Sequence, residues 1–152
     1  MDDETHVHSV KPKEVELSET TENYLKRIFW LSNVKGYAKV SEIAELMSRS
    51  LSSTTEAMKR LKDQGFINYE KYGKITLKSK GIDIAKNVDD AYTVIGQLLK
   101  LLGVDKKTAH EDACSMEHSI SDQTVNRIKD FLEYVEEDPV NKALMSKFLK
   151  NY

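Results

Sequence analysis

Residues 39–67 read KVSEIAELMSRSLSSTTEAMKRLKDQGFI, and they constrain the fold more than any other part of the chain. Ser41 can cap a short helix carrying Ile43, Ala44, Leu46 and Met47 at helical spacing. The polar run SRSLSS breaks it. Ser52 or Ser53 then caps a second helix whose inner face is Ala57, Met58 and Leu61, and Gly65 supplies a C-terminal stop. Two short helices joined by a brief polar turn form the helix-turn-helix pattern. After Gly65 the period changes. FINYEKYGKITLKSKG reads as two short strands around a tight turn at Tyr72, Gly73 and Lys74. A hairpin placed directly after the second helix is a wing.

The flanks are helical. SETTENYLKRIFWL starts a helix that Ser18 or Thr20 can cap, with Tyr24, Leu25, Ile28, Phe29 and Leu31 as its apolar residues and a stop near Gly36. Ser79 can cap a long helix from about Lys80 to Leu102 that ends at Gly103, and three more follow at about 105–118, 121–137 and 139–150. The expected architecture is mainly α. Residues 1–17 form a flexible tail, 18–80 a winged helix-turn-helix with a small hairpin, and 81–152 an all-helical dimerisation domain. No apolar run approaches the ~20 residues of a membrane helix. The N-terminus lacks the apolar segment of a signal peptide. A single cysteine forms no internal disulfide, so a cytoplasmic location is expected.

The net charge of −2 hides an asymmetry. Residues 18–86 carry 13 Lys and Arg against 8 Asp and Glu, whereas residues 87–152 carry 8 against 12. A basic part beside an acidic one suggests two functions, and the basic part suits double-stranded DNA. The second helix of the motif offers Ser52, Ser53, Thr54 and Thr55 to base edges or phosphates. Lys59 and Arg60 suit phosphates, and Tyr72 and Lys74 sit at the wing tip. Glu56 counts against DNA unless it accepts from cytosine N4.

The stretch HEDACSMEH, residues 110–118, holds the only cysteine and two of the four histidines. At about 100° per residue, His110, Cys114, Glu117 and His118 fall within an arc of about 100° on one helix face. Thiol, imidazole and carboxylate together suit a borderline divalent transition metal, provided another element supplies more ligands. The bland alternative is a buried thiol on an ordinary polar helix. A Cys–His nucleophile pair finds no orienting third group.

With these segments in place, the chain resembles the metal-dependent repressors typified by the diphtheria toxin repressor and the manganese transport regulator. The resemblance spans about residues 18–138. TTENYLKRIFWL resembles the family's opening helix, GYAKVSEIAELMSRSLSSTTEAMKRL its helix-turn-helix, and INYEKYGKITLKSKG the wing of the manganese type. LLGVD followed by HEDACSMEHSIS resembles the metal-binding helix. The resemblance implies a homodimeric repressor of the short form, without an SH3-like domain, binding operator DNA under control of a divalent metal. It places Cys114, Glu117 and His118 at primary-site ligand positions and His110 at an ancillary one.

The departures matter as much. Asn23 stands where the family has Met or Asp, and Lys26 where the manganese type has Glu. Tyr92 replaces a His ligand and Gly96 a Glu ligand of the iron type. Lys26 is therefore read as a metal-replacing cation that pairs with Glu117 or a nearby carboxylate, leaving one metal site or none. Cys114 favours Fe(II) and softer ions, while the wing and length lean toward Mn(II); Fe(II) is expected first. His6 and His8 read as tail residues. The competing regulator is a metal-independent winged helix that senses oxidants through Cys114. Replacing Lys59 or Arg60 by Ala is expected to weaken binding to all DNA sequences alike. It should lower the slope of log affinity against log salt by about one, measured by anisotropy titrations at several salt concentrations.

Overall fold

The structure is a computed structural model and describes residues 17–70 and 73–152. The expected tail, including His6 and His8, lies outside the described residues except for Leu17, and so does Tyr72. Helix α1, Glu19–Lys35, starts at Ser18, whose hydroxyl accepts from the Thr21 N–H, and ends at Gly36 with φ 86°. That left-handed conformation suits glycine. Strand β1, Ala38–Lys39, leads into α2, Val40–Leu46, and α3, Leu51–Asp63. Strands β2, Ile67–Tyr69, and β3, Lys74–Leu77, form the hairpin. The sheet order is β1-β3-β2, antiparallel throughout, with Ala38 opposite Ile75 and Ile67 opposite Leu77. Helices α4, Ser79–Leu101, α5, Lys106–Met116, α6, Asp122–Glu137, and α7, Pro139–Asn151, complete the chain.

Several starts differ from expectation. The cap of α2 is Lys39, whose backbone N–H donates to Glu42 Oε2 at 3.0 Å, and Ser41 lies inside the helix. The cap of α3 is Ser50, which accepts from the Ser53 N–H, so Ser52 and Ser53 fall in the first turn. Helix α4 is preceded by Lys78, with Ser79 already helical. Strand β1 was not expected, because two residues carry no readable alternation. The turn between α2 and α3 passes through Ser48 at φ 51°, a conformation uncommon for a residue with a side chain.

One core joins α1, the helix-turn-helix and the sheet. Leu25 and Ile28 of α1 meet Ile43, Met58, Leu61, Ile67 and Ile75, and Ala85 of α4 reaches the same cluster. A smaller core joins Ala91 and Val94 of α4 to Val125 of α6. Helix α4 thus belongs to both, while α7 leaves Val140, Leu144, Phe148 and Leu149 exposed. The approach of α4 to the sheet is tight at Gly81, where an added Cβ would lie 2.3 Å from the Phe66 carbonyl oxygen. Backbone on backbone cannot yield cheaply, so overpacking of about 1–3 kcal/mol outweighs the ~1 kcal/mol that Ala gains over Gly in a helix. Gly81→Ala is expected to lower the melting temperature by several degrees in calorimetry.

Candidate functional site

Helix α1 has two working faces. Tyr24, Leu25 and Ile28 enter the core, while Glu22, Lys26 and Trp30, spaced by four, face α4 and the end of α5. Lys26 Nζ donates to Glu117 Oε1 at 2.5 Å, and both side chains are 0% exposed. The same ammonium lies 4.9 Å from the ring centroid of Trp30 and 4.8 Å from that of Tyr92. Both rings are anchored. Trp30 Nε1 donates to Asp89 Oδ1 at 2.7 Å, and the Tyr92 hydroxyl is 2.7 Å from His110 Nδ1.

Glu117 is the C-terminal cap of α5 and still helical, and His118 lies in the turn beyond it. The helix therefore ends slightly earlier than expected, but the two side chains remain together. His118 Nδ1 is 2.6 Å from Glu22 Oε2. A carboxylate only accepts, so Nδ1 carries the proton and donates to Glu22, and Nε2 is the ring nitrogen that faces Glu117. That atom lies 3.1 Å from Glu117 Oε1 without hydrogen-bonding geometry. Glu117 Oε2 and His118 Nε2 are both buried and find no hydrogen-bond partner among the described residues. Buried polar atoms left without a partner are costly.

Burial pushes the Glu117 carboxyl above the usual carboxylate range, against the pull of Lys26. Burial likewise raises the Cys114 thiol, again opposed by Lys26, and raises Tyr92. Cys114 is half-buried, with Sγ 4.0 Å from His110 Nε2. Asn23 is half-buried beside Glu22. The structure thus brings Lys26, Glu117 and His118 into contact and keeps Cys114 and His110 adjacent. Gly96 lines a cavity of about 570 Å³ with Tyr92 and His110 and offers no donor. Among the described residues, no three His, Cys, Asp or Glu side chains are already gathered around one point. The donor set nonetheless fits one ion, because Glu117 and His118 each keep an unpartnered donor and Glu22 fixes the imidazole from behind. A second ion finds no place at Glu117 Oε1, which Lys26 already occupies.

Sequence reasoning missed Glu22, Trp30 and the role of the Tyr92 ring. The four-residue spacing of Glu22, Lys26 and Trp30 was the available signal.

On α3, Ser52, Ser53, Glu56, Lys59 and Arg60 are exposed and Thr55 is half-buried. Thr54 corrects the expectation. It is fully buried with its hydroxyl on the Ser50 carbonyl, so it packs inward and presents nothing to DNA. Glu56 holds Lys59 at 3.0 Å, which gives the carboxylate a local partner. Lys74 is exposed on β3.

Residues 16–75 match the N-terminal DNA-binding domain of the iron-dependent repressors, and residues 78–144 match the metal-binding and dimerisation domain of that family. The chain belongs to the iron-dependent repressor family. Members of this family are metal-dependent transcriptional repressors. The chain is 36% identical over 129 residues to the transcriptional regulator MntR of Bacillus subtilis, covering 85% of this chain and 91% of that one. It is 40% identical over 119 residues to an uncharacterized HTH-type regulator of Methanocaldococcus jannaschii, covering 77% and 95%. The structure of the manganese regulator SloR superposes with a TM-score of 0.65 at 30% identity, covering 75% of this chain and 54% of that one. This chain therefore spans about half the length of that solved structure. Among the described residues, no helix is long and apolar enough to cross a membrane.

Removing Lys26 alone strands a carboxylate with no exposed atoms. Lys26→Met is expected to cost about 3–5 kcal/mol in urea unfolding with chelator present, and Lys26→Met combined with Glu117→Gln is expected to recover most of that loss.

Proposed function

We propose that this member of the iron-dependent repressor family is a homodimer. It binds operator DNA through α3 and the wing when one divalent transition metal, Fe(II) before Mn(II), is bound between α1 and α5. The observation that carries this reading is the pair of buried, unpartnered atoms, Glu117 Oε2 and His118 Nε2, at the meeting of the two helices. Glu117 and His118 would hold the ion, with the Cys114 sulfur as third ligand and the Asn23 side-chain oxygen as a weak, uncharged fourth. A bound ion supplies there a fixed double positive charge. Glu22 orients His118 by accepting a hydrogen bond from its Nδ1–H, as carboxylates commonly do behind a metal-bound imidazole. His110, held by Tyr92, stands beside Cys114 rather than at an independent second site.

MntR and SloR are named as regulators or manganese regulators, which leans toward Mn(II). The thiol leans toward Fe(II), Co(II) or Zn(II), and the ligand chemistry bears on selectivity more directly than overall likeness. The exposed apolar side chains of α6 and α7, Phe131, Tyr134, Leu144 and Phe148, support pairing with a second copy. A thiol sensor fits Cys114 poorly, because burial raises its pKa and depletes the reactive thiolate. The same depletion counts against a thiol enzyme. A cytoplasmic site of action follows from operator binding.

The test is operator binding with chelator and with Fe(II), Co(II), Zn(II) or Mn(II), under anaerobic conditions. Affinity should rise with an ion, most with Fe(II), and Glu22→Gln should weaken ion affinity about 10–100-fold. Co(II) should give a thiolate charge-transfer band that Cys114→Ser abolishes. Operator affinity indifferent to chelator and to every ion would defeat this reading.

A further inference from the structure

The Lys26 ammonium occupies a built seat. Among the described residues Glu117 Oε1 is its one anionic contact, at 2.5 Å, and the faces of Trp30 and Tyr92 form two walls within 5 Å. Ring faces attract an ammonium through their quadrupoles. They offer nothing to a divalent ion that must replace its water with oxygen, nitrogen or sulfur ligands. Each wall is pinned from another element: Trp30 of α1 to Asp89 of α4, and Tyr92 of α4 to His110 of α5. The seat therefore gathers α1, α4 and α5 around one charge, and the lysine carrying it belongs to the helix that also forms the core of the winged-helix part.

We infer that Lys26 is a resident cation that latches the DNA-binding part to the helical part without any metal, with Glu117 bridging it through Oε1 while Oε2 stays free for a single exchangeable ion. Three features make this more than a buried ion pair. The ammonium and the carboxylate are both without exposed surface, so neither is rescued by water. The walls select a tethered monovalent cation by chemistry. Among the described residues the remaining oxygen of the same carboxylate lacks a partner, which leaves it open to one further positive charge. The latch rests on the contacts alone, and only the single-ion consequence rests on the proposed metal-responsive function.

The test has two arms on the full chain. In the first, hydrogen exchange of α1 is followed with chelator present. Wild type should protect the backbone amides of α1 from Glu22 to Trp30. Lys26→Met should exchange there at least about tenfold faster while the sheet and α3 keep their protection. Saturating Co(II) should restore much of the lost protection by supplying Glu117 with another cation. Equal protection in a folded variant and wild type overturns the latch. In the second arm, wild-type protein is titrated with Co(II) and the ions bound per subunit are counted. One ion supports the bridge, and two ions with Lys26 intact overturn it. Should the variant not fold in chelator, folding on addition of Co(II) supports the latch, and failure to fold with Co(II) as well as without it overturns the claim that another cation can replace Lys26. No bound ion together with fast exchange in the variant would sink the metal reading while leaving the latch standing.

Discussion

The ion pair between Lys26 and Glu117 is the contact on which the arrangement of this molecule depends. Desolvating two charges costs several kcal/mol each, and their attraction alone is rarely enough to offset it. Here the offset is spread over neighbours. Two aromatic faces stabilise the ammonium, and each ring is held by a hydrogen bond of its own. Breaking such a pair leaves an uncompensated buried charge, which favours the arrangement of α1 against α5 that joins the two.

Everything upstream serves that register. Ser18 and Gly36 fix the ends of α1. Leu25 and Ile28 fix its rotation by entering the winged-helix core, and that rotation turns Glu22, Lys26 and Trp30 toward α4 and α5. Helix α4 runs through both cores, with Gly81 permitting its close approach to the sheet. The exposed side of α3 is backed by Met58 and Leu61, which share a core with Leu25 and Ile28 of α1. Helix α1 thus carries the junction on one face and the core beneath α3 on another.

Much of this was legible in the residues. The broken helical period at SRSLSS and the period change after Gly65 announced two helices and a hairpin, and the structure has them. A pairing of Lys26 with Glu117 or a nearby carboxylate was expected from a cation where the resembled family carries a ligand, and the structure joins it to Glu117. What escaped has physical reasons. The cap of α3 slid by two residues because Ser50, Ser52 and Ser53 are chemically equivalent caps, and only tertiary packing chooses among them; α2 and α4 start from Lys39 and Lys78, which no cap preference announces. Thr54 was read as DNA-facing because a hydroxyl in a first turn looks exposed; it is buried because its methyl and hydroxyl satisfy the interior and the Ser50 carbonyl together. The Trp30 and Tyr92 walls come from helices some sixty residues apart, a separation that local spacing does not reveal.

The central claim is that one carboxylate, Glu117, serves a resident ammonium and a single exchangeable ion at once. Anomalous diffraction from crystals of the Co(II)-saturated protein tests it most directly. One cobalt peak per subunit, touching Glu117 and His118 with the Lys26 ammonium still seated between Trp30 and Tyr92, is the predicted result. Two peaks at the junction, or a lone cobalt in the seat with Lys26 swung out to solvent, would contradict it.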